Sequence, residues 1–374
     1  MGHSPVDAWQ PRYTLTPAVV RHLLEIEAAR AVVEQVTLPP AVESELRRRA
    51  RIRATHYSTR IEGNRLTLAE AEQVVTGRRV RLHGRERDAG EVKNYWKALL
   101  RVEEWAARST ALTEDLIRRL HALVEDGRTR PTPYRDGQNM IRDSETGAIV
   151  YLPPEARDVP DLMTGLVTWV RQAGADRLPP PLTAALVHYQ FVTIHPYYDG
   201  NGRTARLLAT FLLQRDGYGL NGFFSIEEEH ARDLSAYYNS LAVHPHHNYY
   251  EGRATADLTS WLEYFLSTLA AVFTAAKGEV LRSAREGLQV EPDAIRRLDP
   301  RARAVFALFT RQDRITATDV ANTLGLSSRT ARMLLNEWVE AGWLVVGDPS
   351  RKGRTYELSA GYRQFIGRLS AKDD

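Results

Sequence analysis

Two helical stretches separated by a short, glycine-bearing break constrain this chain more than any other feature. Thr183 to Ile194 reads as a buried helix. Pro196 ends it, because the residue before a proline is steered out of the α region. Gly200-Asn201-Gly202 is a turn signal, and Arg203 to Leu213 is helical again. The break leaves His195 at the end of one helix and Gly200 to Arg203 at the start of the next. A helix start carries free backbone N–H groups and the positive end of the dipole, so it attracts anions. Glycine lets a phosphate approach the backbone closely. Arg203 and Arg206, three apart, share a helical face and can fork onto phosphate oxygens. Asp199, just ahead of the turn, is placed to hold Mg²⁺ against the same phosphates. His195, whose ordinary pKa is about 6.5, suits a general base toward a hydroxyl. Each feature alone is commonplace; their conjunction in one short loop is specific.

The remainder bounds the setting. A chain of 374 residues predicts two or three domains. The absence of cysteine excludes disulfides and thiolate metal sites, and fits a cytoplasmic home. The opening Met1 to Val6 carries no signal-peptide pattern, and the most apolar run, Leu266 to Ala276, is too short and broken to cross a bilayer, so no membrane partner is expected. Residues 301–374 hold 12 Lys and Arg against 8 Asp and Glu, an excess of 4 that leaves the rest of the chain at −1. The basic excess therefore lies at the C-terminal end, where an anionic partner would find it.

Periodicity predicts a mainly α protein. Residues 15 to about 125 read as helices, with Val92, Tyr95, Trp96, Leu99 and Leu100 on one face. The arginine-rich run Arg47 to Arg53 reads as a solvated helix face. After Pro131-Thr132-Pro133, Gln138 to Tyr151 alternates about Ser144 to Gly147, as a β-hairpin does. Helices are expected from Val159 to Gln172, from Thr183, and from Asp257 to Ala284. The expected division is 1–80, an N-terminal helical region; 81–288, the catalytic core; 289–300, a linker containing Pro292; and 301–374, a separate small domain.

His195-Pro196-Tyr197-Tyr198-Asp199-Gly200-Asn201-Gly202-Arg203-Thr204-Ala205-Arg206 resembles the signature of the Fic family, His-Pro-Phe-x-(Asp/Glu)-Gly-Asn-Gly-(Arg/Lys)-x-x-Arg. The preceding His188-Tyr189-Gln190-Phe191 and Ile194 fit as well. The departure is Tyr197 for Phe, which keeps the ring and asks for a partner for its hydroxyl. The resemblance implies transfer of AMP from ATP to a Ser, Thr or Tyr hydroxyl of a target protein, this chain included. His195 would take the hydroxyl proton and Asp199 hold Mg²⁺. Asn201 and the amides of Gly200 to Gly202 would seat the α- and β-phosphates. Arg203 would steady the leaving pyrophosphate, and Arg206 the γ-phosphate.

A second stretch, Tyr57-Ser58-Thr59-Arg60-Ile61-Glu62-Gly63-Asn64, resembles the family's inhibitory motif (Ser/Thr)-x-x-x-Glu-(Gly/Asn), matched by Ser58, Glu62 and Gly63. Ser58 and Glu62 share a helix face, and Gly63 suits a helix C-terminus. Glu62 paired with Arg206 would deny that arginine to the γ-phosphate. The hairpin lies where the family carries a flap, whose edge would hold the target by strand addition. His244-Pro245-His246-His247 reads as a loop.

The C-terminal segment resembles a winged helix-turn-helix. Its first helix is expected from Thr318 to Leu324 and its second, capped by Ser327, from Ser328 to Ala341, with strands Trp343 to Val346 and Thr355 to Leu358. On DNA, Ser328, Arg329 and Arg332 would face the major groove, and Arg351, Lys352 and Arg354 the phosphates. The other use of such a domain is to bind protein, and a homodimer is one form that takes. The leading expectation is thus an autoinhibited AMP transferase. Its rivals are a de-AMPylating or bifunctional enzyme of the same fold and, from another class, a nucleotide-sensing DNA-binding regulator.

Overall fold

Three prolines open the central helix of this protein instead of blocking it. The helix runs Pro180–Ile194, with Pro180 and Pro181 in its first turn, where a missing N–H costs nothing. That start is three residues earlier than Thr183. The computed structural model describes residues 9–78, 83–128, 130–142, 146–290, 298–310, 312–348, 350 and 354–363. Its contacts divide the chain into two units, residues 1–35 with 47–278, and residues 36–46 with 279–374.

In chain order the first unit draws on α1 (Pro17–Gln35), α2 (Pro40–Ile61), α3 (Leu68–Val75), α4 (Glu86–Ala107) and α5 (Glu114–Asp126). The strands β1 (Ile141–Arg142) and β2 (Ile149–Tyr151) follow. Then come α6 (Val159–Ala175), α7 (Pro180–Ile194), α8 (Asn201–Arg215), α9 (Ile226–Arg232), α10 (Leu234–Leu241) and α11 (Thr259–Val290). The protein is mainly helical, as the periodicity predicts. Helix α8 packs against α4, α5 and α7, and α6 flanks α7. That encirclement explains why α7 and α8 lack a polar face: Leu186, Val187, Phe191, Leu207, Leu208 and Phe211 are all fully buried. Polar side chains buried beside them find partners. His188 Nε2 lies 2.9 Å from the Tyr237 hydroxyl, and Trp261 Nε1 donates to the Ala185 carbonyl at 2.8 Å.

Local chemistry sets the ends that matter for the site. Thr113 caps α5 by accepting from the Leu116 N–H, and Gly127 closes it in the left-handed region at φ 64°. The arginine-rich run on α2 is only partly a solvated face: Arg49 and Arg53 are exposed, but members of the run are engaged. Arg51 grips Glu103 through Nε at 2.8 Å and Nη2 at 2.6 Å, Arg47 Nε donates to the Asn221 carbonyl at 2.9 Å, and Arg53 pairs with Glu228 at 2.5 Å. The run holds α2 to its neighbours because acceptors from distant segments reach it. The hairpin is shorter than expected: Ile141 pairs with Tyr151 and Arg142 with Ile149 across a bulge, and Ser144 lies outside the described residues. No helix of the described residues is long and apolar enough to cross a membrane.

The second unit contains α12 (Pro300–Phe306), β3 (Ile315–Thr316), α13 (Ala317–Leu324), α14 (Ser328–Glu340), β4 (Leu344–Asp348) and β5 (Thr355–Leu358). The strands form an antiparallel sheet in the order β3-β5-β4. Val305, Phe306, Leu335, Trp338, Trp343 and Tyr356 close its core. Ser327 caps α14 through the Thr330 N–H, and Gly325 ends α13 at φ 65°. The two-residue strand β3 carries too little pattern to be read from sequence. The unit boundary falls at Gly278, inside α11, which continues to Val290 through most of the expected stretch before the linker. Residues 291–297 lie outside the described residues.

Candidate active site

The break between α7 and α8 is a tight structure built from its own side chains. His195 ends α7 in the left-handed region, φ 51° and ψ 59°, where a side chain with a Cβ is strained by about 1 kcal/mol or more. Arg135 holds it there. Its buried guanidinium donates from Nε to the His195 carbonyl at 2.9 Å, from Nη1 to the Gly137 carbonyl at 3.0 Å, and from Nη2 to the Pro154 carbonyl, while its backbone N–H donates to Pro196 at 2.9 Å. Asn201 closes the loop from inside, donating from Nδ2 to the Tyr197 carbonyl at 2.8 Å and accepting the Tyr197 N–H at 3.0 Å. Gly200 starts α8 at φ 73°, which glycine adopts without cost.

The His195 ring is held in one tautomer. Its Nδ1 faces the Val192 carbonyl at 3.2 Å, so Nδ1 carries the proton and Nε2 is left as the acceptor. Burial pulls its pKa down to about 4, against the opposing pull of the Val192 carbonyl and Glu62. The ring is therefore neutral near pH 7.

Every charge around the turn is already paired. Arg206, 1% exposed, donates from Nε to Ser58 Oγ and from Nη2 to the Ser58 carbonyl, both at 2.9 Å, and from Nη2 to Glu62 Oε1 at 2.8 Å. Burial works against its charge; the field of Glu62 and the nearby phenols outweighs that and raises its pKa. A Cβ on Gly202 would collide with Glu62 Oε1, so that carboxylate lies directly over the start of α8. Arg203, 4% exposed, donates from Nη2 to Glu125 Oε1 at 2.9 Å, with Asp199 Oδ1 at 3.4 Å. Asp199 also accepts the Gly200 N–H at 2.7 Å, yet its side chain is 60% exposed, and Arg87 Nη2 stands 3.8 Å from its other oxygen. One exposed carboxylate beside a helix N-terminus is the kind of ligand Mg²⁺ takes, since that ion uses few protein oxygens and completes its shell with water.

Residues 111–213 match the Fic/DOC family. Protein adenylyltransferase Fic of Drosophila willistoni is 29% identical over 53% of this chain and 39% of its own length. The protein of the same name from Nematostella vectensis is 32% identical over 44% of this chain and 37% of its own. The crystal structure of a Fic family protein from Desulfovibrio desulfuricans G20 superposes with a TM-score of 0.58 at 28% identity, covering 94% of this chain and 99% of that one. The chain carries a Fic domain. It spans about two fifths of the length of the curated relatives it matches.

Within this Fic protein the structure brings His195, Asp199, Gly200, Gly202, Arg203 and Arg206 together with Ser58 and Glu62, and Gly63, just past the end of α2, sits at φ 89°. Asn201 differs from its expected place against the phosphates: its side chain is turned inward onto the Tyr197 backbone and is 2% exposed, which leaves only its backbone for a ligand. The Tyr197 ring packs inward and stacks on His121 at 3.5 Å, but its hydroxyl has no partner among the described residues. Three contributors escaped the sequence reading. Arg135 sits in the loop before the hairpin. His121 donates from Nε2 to the Asp199 carbonyl at 2.9 Å, and burial pulls its pKa to about 4. Glu125 lies in the last turn of α5, the end of a helix that disfavours carboxylates; that misplacement was its one visible signal.

Proposed function

We propose that this Fic protein transfers AMP from ATP to a hydroxyl of a protein and that Glu62 holds the site shut. The observation that carries the reading is the position of the Glu62 carboxylate, over Gly202 and in the fork of Arg206, where a phosphate of bound ATP belongs. The curated relatives carry the name protein adenylyltransferase, which supports the same activity here.

In the proposed reaction the target hydroxyl oxygen attacks the α-phosphorus, and the bond from that phosphorus to the bridging oxygen breaks. Nε2 of His195 takes the hydroxyl proton, and pyrophosphate leaves with the bonding pair. The N–H groups at Gly200 to Gly202 receive phosphate oxygens, and Arg203 and Arg206 hold the departing charge once their carboxylates release them. Mg²⁺, held by Asp199, would supply further neutralisation of the phosphates. The hairpin offers Ile149 and Val150, 44% and 38% exposed, to a target strand.

The C-terminal unit supports a winged-helix reading through its two helices and the β3-β5-β4 sheet. Ser328, Arg329, Arg332 and Arg354 are exposed as DNA contacts require, and Arg351 and Lys352 lie outside the described residues.

The test is incorporation of label from α-labelled ATP with Mg²⁺, comparing wild type, Glu62→Gly and His195→Ala. Strong labelling only in Glu62→Gly is expected. Bound ATP with no labelling in any form refutes the transfer and leaves a nucleotide sensor.

A further inference from the structure

Glu62 is not the only carboxylate lying on this turn. Glu125 projects from the last turn of α5, and a Cβ on Gly200 would collide with its Oε1, as one on Gly202 would with Glu62 Oε1. Each carboxylate also holds one arginine of α8: Glu62 takes Arg206 at 2.8 Å, and Glu125 takes Arg203 at 2.9 Å. The two pairs are side by side on the start of one helix and come from different elements. Glu125 is placed with care. Asn94 Nδ2 donates to its backbone carbonyl at 2.7 Å, fixing the end of α5. The surroundings offer it little else. Asp199 and Glu91 add negative field and Asp126 follows it in the chain, so Arg203 is the cation that favours its charge. Burial raises its pKa, with Asp199, Glu91 and Asp126 pushing the same way against Arg203. A carboxylate in such company, at the negative end of a helix dipole, is costly for a tie between two helices that an uncharged acceptor would serve equally.

We propose that Glu125 is a second brake on the nucleotide site: its carboxylate occupies Arg203 and faces the Gly200 turn, so a nucleoside triphosphate must displace it to bind. The proposal rests on the reading of this turn as a triphosphate site, and concerns the arginine that Glu62 leaves untouched. Because the two carboxylates hold different arginines, their effects on affinity multiply. Removing Glu62 alone leaves Arg203 still neutralised, so the Glu62→Gly protein remains partly braked.

The experiment is calorimetric titration of ATP and Mg²⁺ into the full chain as wild type, Glu125→Gln, Glu62→Gly and the double variant, with thermal melts of each. Gln keeps the acceptor toward Arg203 and removes the charge. Glu125→Gln is expected to bind ATP roughly fivefold or more tightly in either background. In labelling assays of the Glu62→Gly background, the gain falls in KM for ATP and not in kcat. Glu125→Met removes the charge by other chemistry and must move the Kd in the same direction. A structural tie lowers Tm and leaves Kd where it was, or weakens it; that result overturns the proposal. The two readings fail separately. ATP binding by Glu62→Gly with no gain from Glu125→Gln sinks the second brake alone. Tighter binding by Glu125→Gln without AMP transfer by any form sinks the transfer and keeps the brake. No ATP binding by any form overturns both.

Discussion

Two pairs of arginines in this protein have the same spacing and the same address. Arg203 and Arg206 lie three apart in the first two turns of α8, and Arg329 and Arg332 lie three apart in the first two turns of α14. Their surroundings are opposite. The α8 pair is buried, and each member is held by a carboxylate from a distant segment. The α14 pair is exposed, and among the described residues neither member has an ion pair. Buried charge must be neutralised, so a buried arginine pair already contains a competitor for any anion that enters. An exposed pair contains none, and its affinity for an anion depends on salt and geometry alone. Spacing therefore identifies a place for an anion; burial tells whether occupation is regulated.

The comparison breaks most visibly at His195. In the Glu62→Gly background, His195→Ala is expected to lower AMP incorporation by about 10²- to 10⁴-fold, the usual worth of a positioned base. A residual rate within tenfold would remove His195 from proton transfer. The same assay on Glu62→Gly with His195 intact should fall only as pH drops toward about 4, because burial keeps the base form present below the ordinary histidine range. Next in size is the proposed Glu62 brake. Glu62→Gly should raise incorporation about 10- to 100-fold over wild type, corresponding to a coupling of a few kcal/mol. Equal rates would mean that the Glu62–Arg206 pair stores no competition.

The exposed pair sharpens the contrast from the other side. On the proposed winged-helix reading, Arg329→Ala with Arg332→Ala should leave AMP incorporation within about twofold, while any DNA binding by the full chain weakens about tenfold and loses salt dependence. A loss of incorporation, measured on folded protein, would show that the two arginine pairs are not independent. The smallest expected effect is on stability. His121 and His195 have pKa values of about 4 and His230 of about 3, all lowered first by burial from 6.5. Below pH 6.5 the unfolded chain takes up protons that these rings refuse, so stability is full above that pH and declines as pH falls toward 4. Residues 279–374 contain no histidine. Calorimetry between pH 7 and pH 4.5 should therefore lower the melting of the first unit by about 5 °C or more and leave the second nearly still. Parallel shifts would contradict the assignment.

The sequence showed most where function is compressed into consecutive residues. His195 to Arg206 is one stretch, so its chemistry could be read in order, and Ser58 and Glu62 share one helical turn. The mainly α architecture was visible because helical periodicity is long and regular. What remained hidden depends on approach from elsewhere. Glu125 meets Arg203 across 78 positions, and Arg135 meets the His195 carbonyl across 60. The arginines of α2 look solvated until Glu103 and Glu228 are brought to them. Asn201 misled for a different reason: an amide can turn inward to bond its own loop as readily as outward to a ligand, and residue type does not say which. The Tyr197 hydroxyl finds no partner among the described residues, so the ring accounts for its fit.

Glu62 follows the last residue of α2 directly, while Asn64, two positions on, is anchored by donating from Nδ2 to the Asp88 carbonyl at 2.8 Å. The carboxylate is 30% exposed and can leave Arg206 by rotating its own side chain, with the helix still docked. On the proposed reading, a latch that opens by side-chain rotation alone would leak at a steady rate equal to its open fraction, with neither lag nor hysteresis.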